Sequence, residues 1–289
     1  MRKLGANVVR LHLQFASFMD APNRPNRLNL ARLERLARLA EELGLYLDIT
    51  GLGSYRVKDI PPWYSKLSER EHWVAQAGFW EAVASTCAGR PGVFAYNLMN
   101  EPIVSGESRP AGVWVHPNEL GGLHYVEFIN LEPAGRQRPD IARQWVRQMT
   151  QAIRKHDRRH LVTVGIMTGG MKFPHPEEVA GFPPSKLAAE VDYISVHLYP
   201  EKGMLDAAID TLARFKTSKP LVLEETYPLN CGVPEFSAFL ARSRGIANGW
   251  LGFYWGQTPE QLQGSILPAE KRTHDWLELF QSINPNRLK

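Results

Sequence analysis

Glu101 and Glu225 each close a run of apolar residues. Phe94-Ala95-Tyr96-Asn97-Leu98-Met99 leads into Asn100-Glu101, and Leu221-Val222-Leu223 leads into Glu224-Glu225. Arg10 ends Asn7-Val8-Val9, His197 and Tyr199 follow Ile194-Ser195-Val196, and Trp255 follows Gly252-Phe253-Tyr254. One glutamate at a strand end is ordinarily a surface charge or a salt-bridge partner. Two in equivalent places, accompanied by Arg, Asn, His, Tyr and Trp, need a chemical reason to stay desolvated together. Cleavage of a glycosidic bond supplies one: it requires a protonated carboxyl beside the leaving oxygen and an ionised carboxylate at the anomeric carbon.

These ends belong to a repeating pattern. Short β-branched or aromatic runs predict strands over Ala6–Leu13, Leu45–Thr50, Val93–Met99, Leu161–Ile166, Tyr193–Leu198, Pro220–Glu225 and Gly249–Trp255. Between them, apolar residues at i, i+3, i+4, i+7 spacing predict helices. Leu33, Leu36, Leu39, Ala40 and Leu43 form one stripe, ended by Gly44. Others run over Glu71–Ala88, Ile141–His156, Leu205–Lys216, Pro234–Ala247 and His274–Ile283, with a short helix from Ser185. Alternating strands and helices mean βαβ units, a parallel sheet and an α/β fold, here one domain over residues 1–289. Two long loops, Ile103 to about Pro139 and Met167 to about Pro184, follow the carboxyl ends of strands, where such enzymes build their sites. The first carries Trp114, His116, His124 and Tyr125, with Gly121-Gly122 as a hinge. It either contacts substrate or simply covers the sheet. Trp63, Tyr64 and Trp114 are read as loop-packing residues first and sugar platforms second. Trp73, Trp80 and Trp145 have helical spacing and belong to the core.

Composition narrows the class. With 289 residues, 44% hydrophobic and 22% charged, the chain can build a large core, which excludes disordered, collagen-like and coiled-coil proteins. No apolar run approaches the roughly 18 residues of a membrane span. Thirty-four basic against 30 acidic residues leave +4, scattered along the chain, so neither nucleic acid nor a membrane is the expected partner. Cys87 and Cys231 are too few for a disulfide framework or a zinc site. Met1-Arg2-Lys3 imitates a signal sequence, but the apolar stretch Leu4–Val9 is too short for its core, leaving the localisation unassigned.

The chain resembles glycoside hydrolase family five, the cellulase-like (β/α)8 barrels. The resemblance runs from Leu4 to about Phe280. It rests on Gly5-Ala6-Asn7-Val8-Val9-Arg10, Asn97-Leu98-Met99-Asn100-Glu101-Pro102, His197-Leu198-Tyr199, Lys219-Pro220-Leu221-Val222-Leu223-Glu224-Glu225 and Gly252-Phe253-Tyr254-Trp255. It implies a TIM (β/α)8-type barrel, although only seven strands are recognisable. It further implies a retaining glycoside hydrolase acting on a β-linked glucan- or mannan-type polysaccharide or oligosaccharide, monomeric and without cofactor. Glu101 would be the general acid/base and Glu225 the nucleophile. Asn100 would hold the sugar 2-hydroxyl, Arg10 and Tyr199 would keep the nucleophile ionised and oriented, His197 would line the sugar site, and Trp255 would lie under the sugar ring.

Between Glu224 and Glu225, strand alternation lets only one face the barrel mouth. With Glu225 inward, Leu223 and Leu221 fill the layers beneath it, while Val222 and Glu224 face the helices. The family pattern agrees, placing the nucleophile five residues after Pro220. Two departures bear on substrate. Asp48-Ile49-Thr50-Gly51-Leu52-Gly53 lacks the histidine usual at the family's third strand, and Thr226-Tyr227 replaces the usual Phe-Gly. His12, on the same face as Arg10, either takes over part of the missing contact or is a rim histidine with bonds of its own. A barrel that binds polysaccharide without cleaving it is the alternative function. A metal-dependent hydrolase would need a His-x-His pair, and Leu11-His12-Leu13 offers one histidine, so no metal is expected. The resemblance starts at the family's second strand. The first strand and most of the first helix are absent, which implies a truncated gene, a misplaced start, or a barrel open between its second and eighth strands, and any export signal would lie upstream.

Overall fold

The computed structural model describes residues 1–171, 173–254 and 256–283. Seven strands pair side by side in chain order, all parallel: β1 (Val8–Gln14), β2 (Tyr46–Gly53), β3 (Val93–Asn100), β4 (Leu161–Met167), β5 (Ile194–His197), β6 (Leu221–Thr226) and β7 (Gly249–Gly252). Helices α1 (Arg27–Glu42), α2 (Glu69–Cys87) and α3 (Arg138–Arg154) occupy the first three connections. A short helix over Pro184–Leu187 stands between β4 and β5, and α4 (Leu205–Arg214), α5 (Val233–Ser243) and α6 (Pro268–Ser282) follow β5, β6 and β7. Each strand predicted from the sequence is present. The sheet curls into a TIM-type barrel that, among the described residues, does not close: β1 and β7 come within 8 Å of each other without pairing.

Local chemistry explains the helix starts. Asn26 caps α1 by accepting the Asn29 amide at 2.9 Å, and Ser68 with Glu71 forms a reciprocal capping box on α2. The α1 stripe differs from expectation. Its buried residues are Leu33, Ala37 and Ala40, while Leu36, Leu39 and Leu43 are 41–47% exposed. The helix is turned by the small residues, which let it lie close on the sheet. Its Glu41 packs beside Gly92 at the start of β3, and the three leucines occupy the opposite flank.

The two faces of the sheet have opposite characters. Leu47, Ile49, Leu98, Val162, Val164, Ile194, Val196, Leu221 and Leu223 join one large apolar cluster with helix residues such as Trp80, Trp145 and Phe236. Trp73 lies in the same cluster. On the inner face Ala95, Tyr193 and Val222, with Phe94 and Leu251, form an apolar floor. Above it the buried residues are polar: Asp48, Thr50, Asn97, Thr163, Ser195, His197 and Glu224. Thus Leu221 and Leu223 do not fill the barrel and Glu224 does not face the helices, the reverse of the alternation argument. The apolar residues of these strands serve the helix layer, and the interior is hydrogen-bonded.

Candidate active site

All the rim residues within the described segments converge. Arg10 on β1 forks three ways: Nη1 donates to Glu225 Oε2 at 2.6 Å, Nη2 to Asn100 Oδ1 at 2.9 Å and Nε to Thr50 Oγ1 at 2.9 Å. Tyr199 donates its hydroxyl to the other oxygen of Glu225. Asn100 donates through Nδ2 to the carbonyl of Tyr125 at 2.8 Å, so the first long loop fixes its side chain. His197 Nδ1 lies 2.9 Å from Glu101 Oε1 and 3.7 Å from Glu225 Oε2. One carboxylate oxygen of Glu101 and one of Glu225 are within 4.8 Å of each other. Trp255 lies outside the described residues.

Both Glu224 and Glu225 reach the interior because β6 is irregular at its end. Its register against β5 slips between Leu223 and Glu225, and against β7 between Leu223 and Thr226. Such a bulge breaks the strict alternation of side chains and re-aims the residue beyond it. Glu101 is placed by backbone as well. It adopts φ +45°, a left-handed conformation unusual for a side-chain-bearing residue, and donates its amide to the Gly165 carbonyl at 3.0 Å.

Burial and neighbouring charge oppose each other at Glu225 and His197. Burial disfavours the charge of Glu225, but His197, Arg10 and the Tyr199 hydroxyl overcome it and hold that carboxyl below its usual range. Burial also works against the His197 cation. Burial and the Arg10 charge are together outweighed by Glu225, Glu101 and Glu224, and the imidazole rises to about 9. Arg10, opposed by burial and supported by Glu224, Glu225 and Asp48, is raised further still.

Several participants were not singled out from the sequence. Tyr55, two residues past Gly53, places its hydroxyl 2.5 Å from His12 Nδ1 and its ring 5.0 Å from that of Tyr125. Burial lowers His12 to about 3, so it is a neutral rim histidine satisfied by Tyr55. Space at the end of β2 is taken: a Cβ on Gly53 would lie 2.8 Å from Gln14 Nε2 and 3.1 Å from the Tyr55 ring. A tyrosine from the next loop thus occupies the space beside Gly53. Gln14, Ser17, Ser54, Tyr55 and Arg56 line a cavity of about 360 Å³ beside it. Trp114 is 3% exposed and stacked on His72 at 3.9 Å, and Trp63 packs on Phe15 and Tyr64. Both fasten loops. Tyr227 turns away and bonds Thr273 on α6 at 2.7 Å.

Seven parallel βα units with a carboxylate pair at the carboxyl rim define the class, a TIM-type barrel with a hydrolase-like mouth. The sequence profile of the cellulase family, glycosyl hydrolase family 5, matches residues 1–220, a span holding Arg10, Asn100, Glu101, His197 and Tyr199. The chain belongs to glycosyl hydrolase family 5. Solved structures share the fold at low identity. An exo-β-1,4-mannosidase from an Opitutaceae bacterium has TM-score 0.65 and 17% identity over 99% of this chain and 54% of its own. A β-1,4-mannanase from the sea hare Aplysia kurodai gives 0.63 and 13% over 98% and 82%. Endo-glycoceramidase II from Rhodococcus sp. gives 0.59 and 19% over 96% and 71%. This chain therefore spans about half the length of the first of these. No curated protein matches the sequence.

Proposed function

We propose that this chain is a retaining β-glycosidase for a β-linked mannan- or glucan-type glycan. The observation that carries the reading is the close approach of the Glu101 and Glu225 carboxylates, within 4.8 Å oxygen to oxygen. Retaining enzymes hold their carboxyls roughly 5–5.5 Å apart, whereas inverting ones leave about 6.5–9.5 Å for a water. In the proposed cycle Glu225, kept ionised by Arg10 and Tyr199, attacks the anomeric carbon. Glu101 protonates the departing oxygen and then takes a proton from the water that hydrolyses the glycosyl ester. Asn100, held by Arg10 and the Tyr125 carbonyl, offers its amide to the sugar 2-hydroxyl. Two of the similar structures act on β-1,4-mannosidic chains, which favours mannan over glucan as the first substrate to try.

The test is a screen of β-1,4-mannan, β-1,4-glucan and aryl β-mannosides and β-glucosides. Hydrolysis with retention at the anomeric carbon, read by NMR, is expected, and Glu225→Ala is expected to abolish it. Binding of these glycans without cleavage by the native protein would replace this reading with that of a binding barrel.

A further inference from the structure

Directly beneath the rim lies a third carboxylate that the proposed cycle does not use. Glu224 is 1% exposed. Its Oε2 accepts Asn97 Nδ2 at 2.5 Å and the Ser195 hydroxyl, and its Oε1 accepts the Tyr193 hydroxyl at 3.4 Å. Two cations flank it, Arg10 Nε at 3.7 Å and His197 Nε2 at 3.5 Å. These same cations touch the rim carboxylates from below, Arg10 on Glu225 and His197 on both Glu101 and Glu225. A like charge next to a nucleophile should disfavour its ionised form, so an anion here requires compensation. The geometry supplies that compensation by placing the anion where both cations are shared.

Asp48 on β2 completes the arrangement. Its oxygens are buried and receive no donor. Burial and the Glu224 charge push its carboxyl well above the usual range. Glu224 itself stays ionised against burial because of Arg10, His197 and Asp48.

We infer that Glu224 is a positioning residue: from the barrel interior it holds Arg10 and His197 together under Glu101 and Glu225 and balances the charge of the imidazole. This rests on the glycosidase reading for its catalytic consequence, but not for its structural one. The groups facing His197 and Glu224 are Arg10 and His12 from β1, Asp48 from β2, Glu101 at the end of β3, Tyr193 just before β5, Tyr199 beyond it, and Glu225 from β6. On β4 the facing residue is Gly165, which leaves space for the imidazole and brings no charge.

The experiment titrates His197 by NMR in isotope-labelled native protein and in Glu224→Gln, with the resonance assigned from a His197→Gln sample. Gln keeps an acceptor for Asn97 and Ser195 and removes the charge. In native protein the imidazole is expected to lose its proton near pH 9, and in Glu224→Gln at least one unit lower, a tenfold weaker hold on the proton. On whichever glycoside the native protein cleaves, Glu224→Gln is expected to lower kcat at least tenfold with KM within twofold, and to move the alkaline limb of kcat/KM to lower pH. Glu224→Asp should restore part of both. A native His197 midpoint at or below 6.5 overturns the inference, as does a Glu224→Gln titration or pH profile superposable on the native one. Should Glu224→Gln not fold, the native midpoint alone decides. Should no glycoside be cleaved, the titration still stands on its own, which separates failure of this inference from failure of the glycosidase reading.

Discussion

Arg10 shows how much one side chain can organise. Its planar fork reaches Glu225, Asn100 and Thr50 at once, and a single ammonium cannot reproduce that geometry. Arg10→Lys is therefore expected to lose at least tenfold in kcat/KM, with the loss carried by kcat. A Lys variant as active as the native protein would show that the fork is dispensable. Glu101 allows a sharper test of role. Its removal should cost about 10²–10⁴-fold on glycosides with a basic leaving group. The loss should shrink markedly on a dinitrophenyl glycoside, whose departure needs no proton. Equal losses on both substrates would place Glu101 outside the acid step. The residues Arg10, Asn100, Glu101, His197, Tyr199 and Glu225 were readable in the sequence because each ends a run of strand-forming residues. Asp48, Asn97 and Tyr55 were not. The first two stand in mid-strand, where a polar residue looks like the outer face of an ordinary sheet, and Tyr55 sits in a loop with no pattern to mark it.

Among the elements, β4 and β6 are the least replaceable. Gly165 lies on the inner face of β4, and a Cβ there would stand 2.9 Å from His197 Nε2 and 3.1 Å from Asn97 Nδ2. Gly165→Ala should thus cost about 1–3 kcal/mol of stability and reduce kcat by tilting the imidazole from Glu101. Thermal unfolding and kinetics on the same sample check both, and an unaltered kcat would mean that His197 tolerates the shift. The bulge at the end of β6 explains where sequence reading reached its limit. Alternation works while a strand stays regular, and neither glycine nor proline marks the slip between Leu223 and Glu225. The expected nucleophile position came from the family spacing; the inward direction of Glu224 could come only from the fold. The α1 stripe misled for a related reason. Leu36, Leu39 and Leu43 have helical spacing, yet Ala37 and Ala40 give the closer approach to the sheet.

At the scale of the molecule, buried titratable groups set the response to pH. Burial lowers His72, stacked between Tyr64 and Trp114 with neither ring nitrogen bonded, to about 3. Below the ordinary histidine value of 6.5 the unfolded chain takes up a proton that this ring refuses, so stability falls as pH drops from 6.5 towards 3. Glu127 acts at the other end: burial raises it to about 8 although Ser54 donates its amide to it at 2.6 Å. The stability tied to its proton is complete below the ordinary value of 4.5 and is lost as pH rises through 8. In melting curves across this range, His72→Phe should flatten the acid arm and Glu127→Gln the alkaline arm. Arms identical to the native ones would remove both groups from the account. 

The unpaired margin of the barrel has a kinetic corollary. The two edge strands come within 8 Å of each other without pairing among the described residues, which leaves a slit. The interior beside it is spanned from Arg10 on β1 to both Glu225 and Glu224 on β6. If Glu225 becomes a neutral ester during turnover, that brace loses one of its charges. Amides of β1 should then exchange with solvent faster in enzyme trapped by a 2-deoxy-2-fluoro glycoside than in free enzyme, with β3 and β4 unchanged. Each catalytic cycle would slacken and retighten one of the links across the barrel.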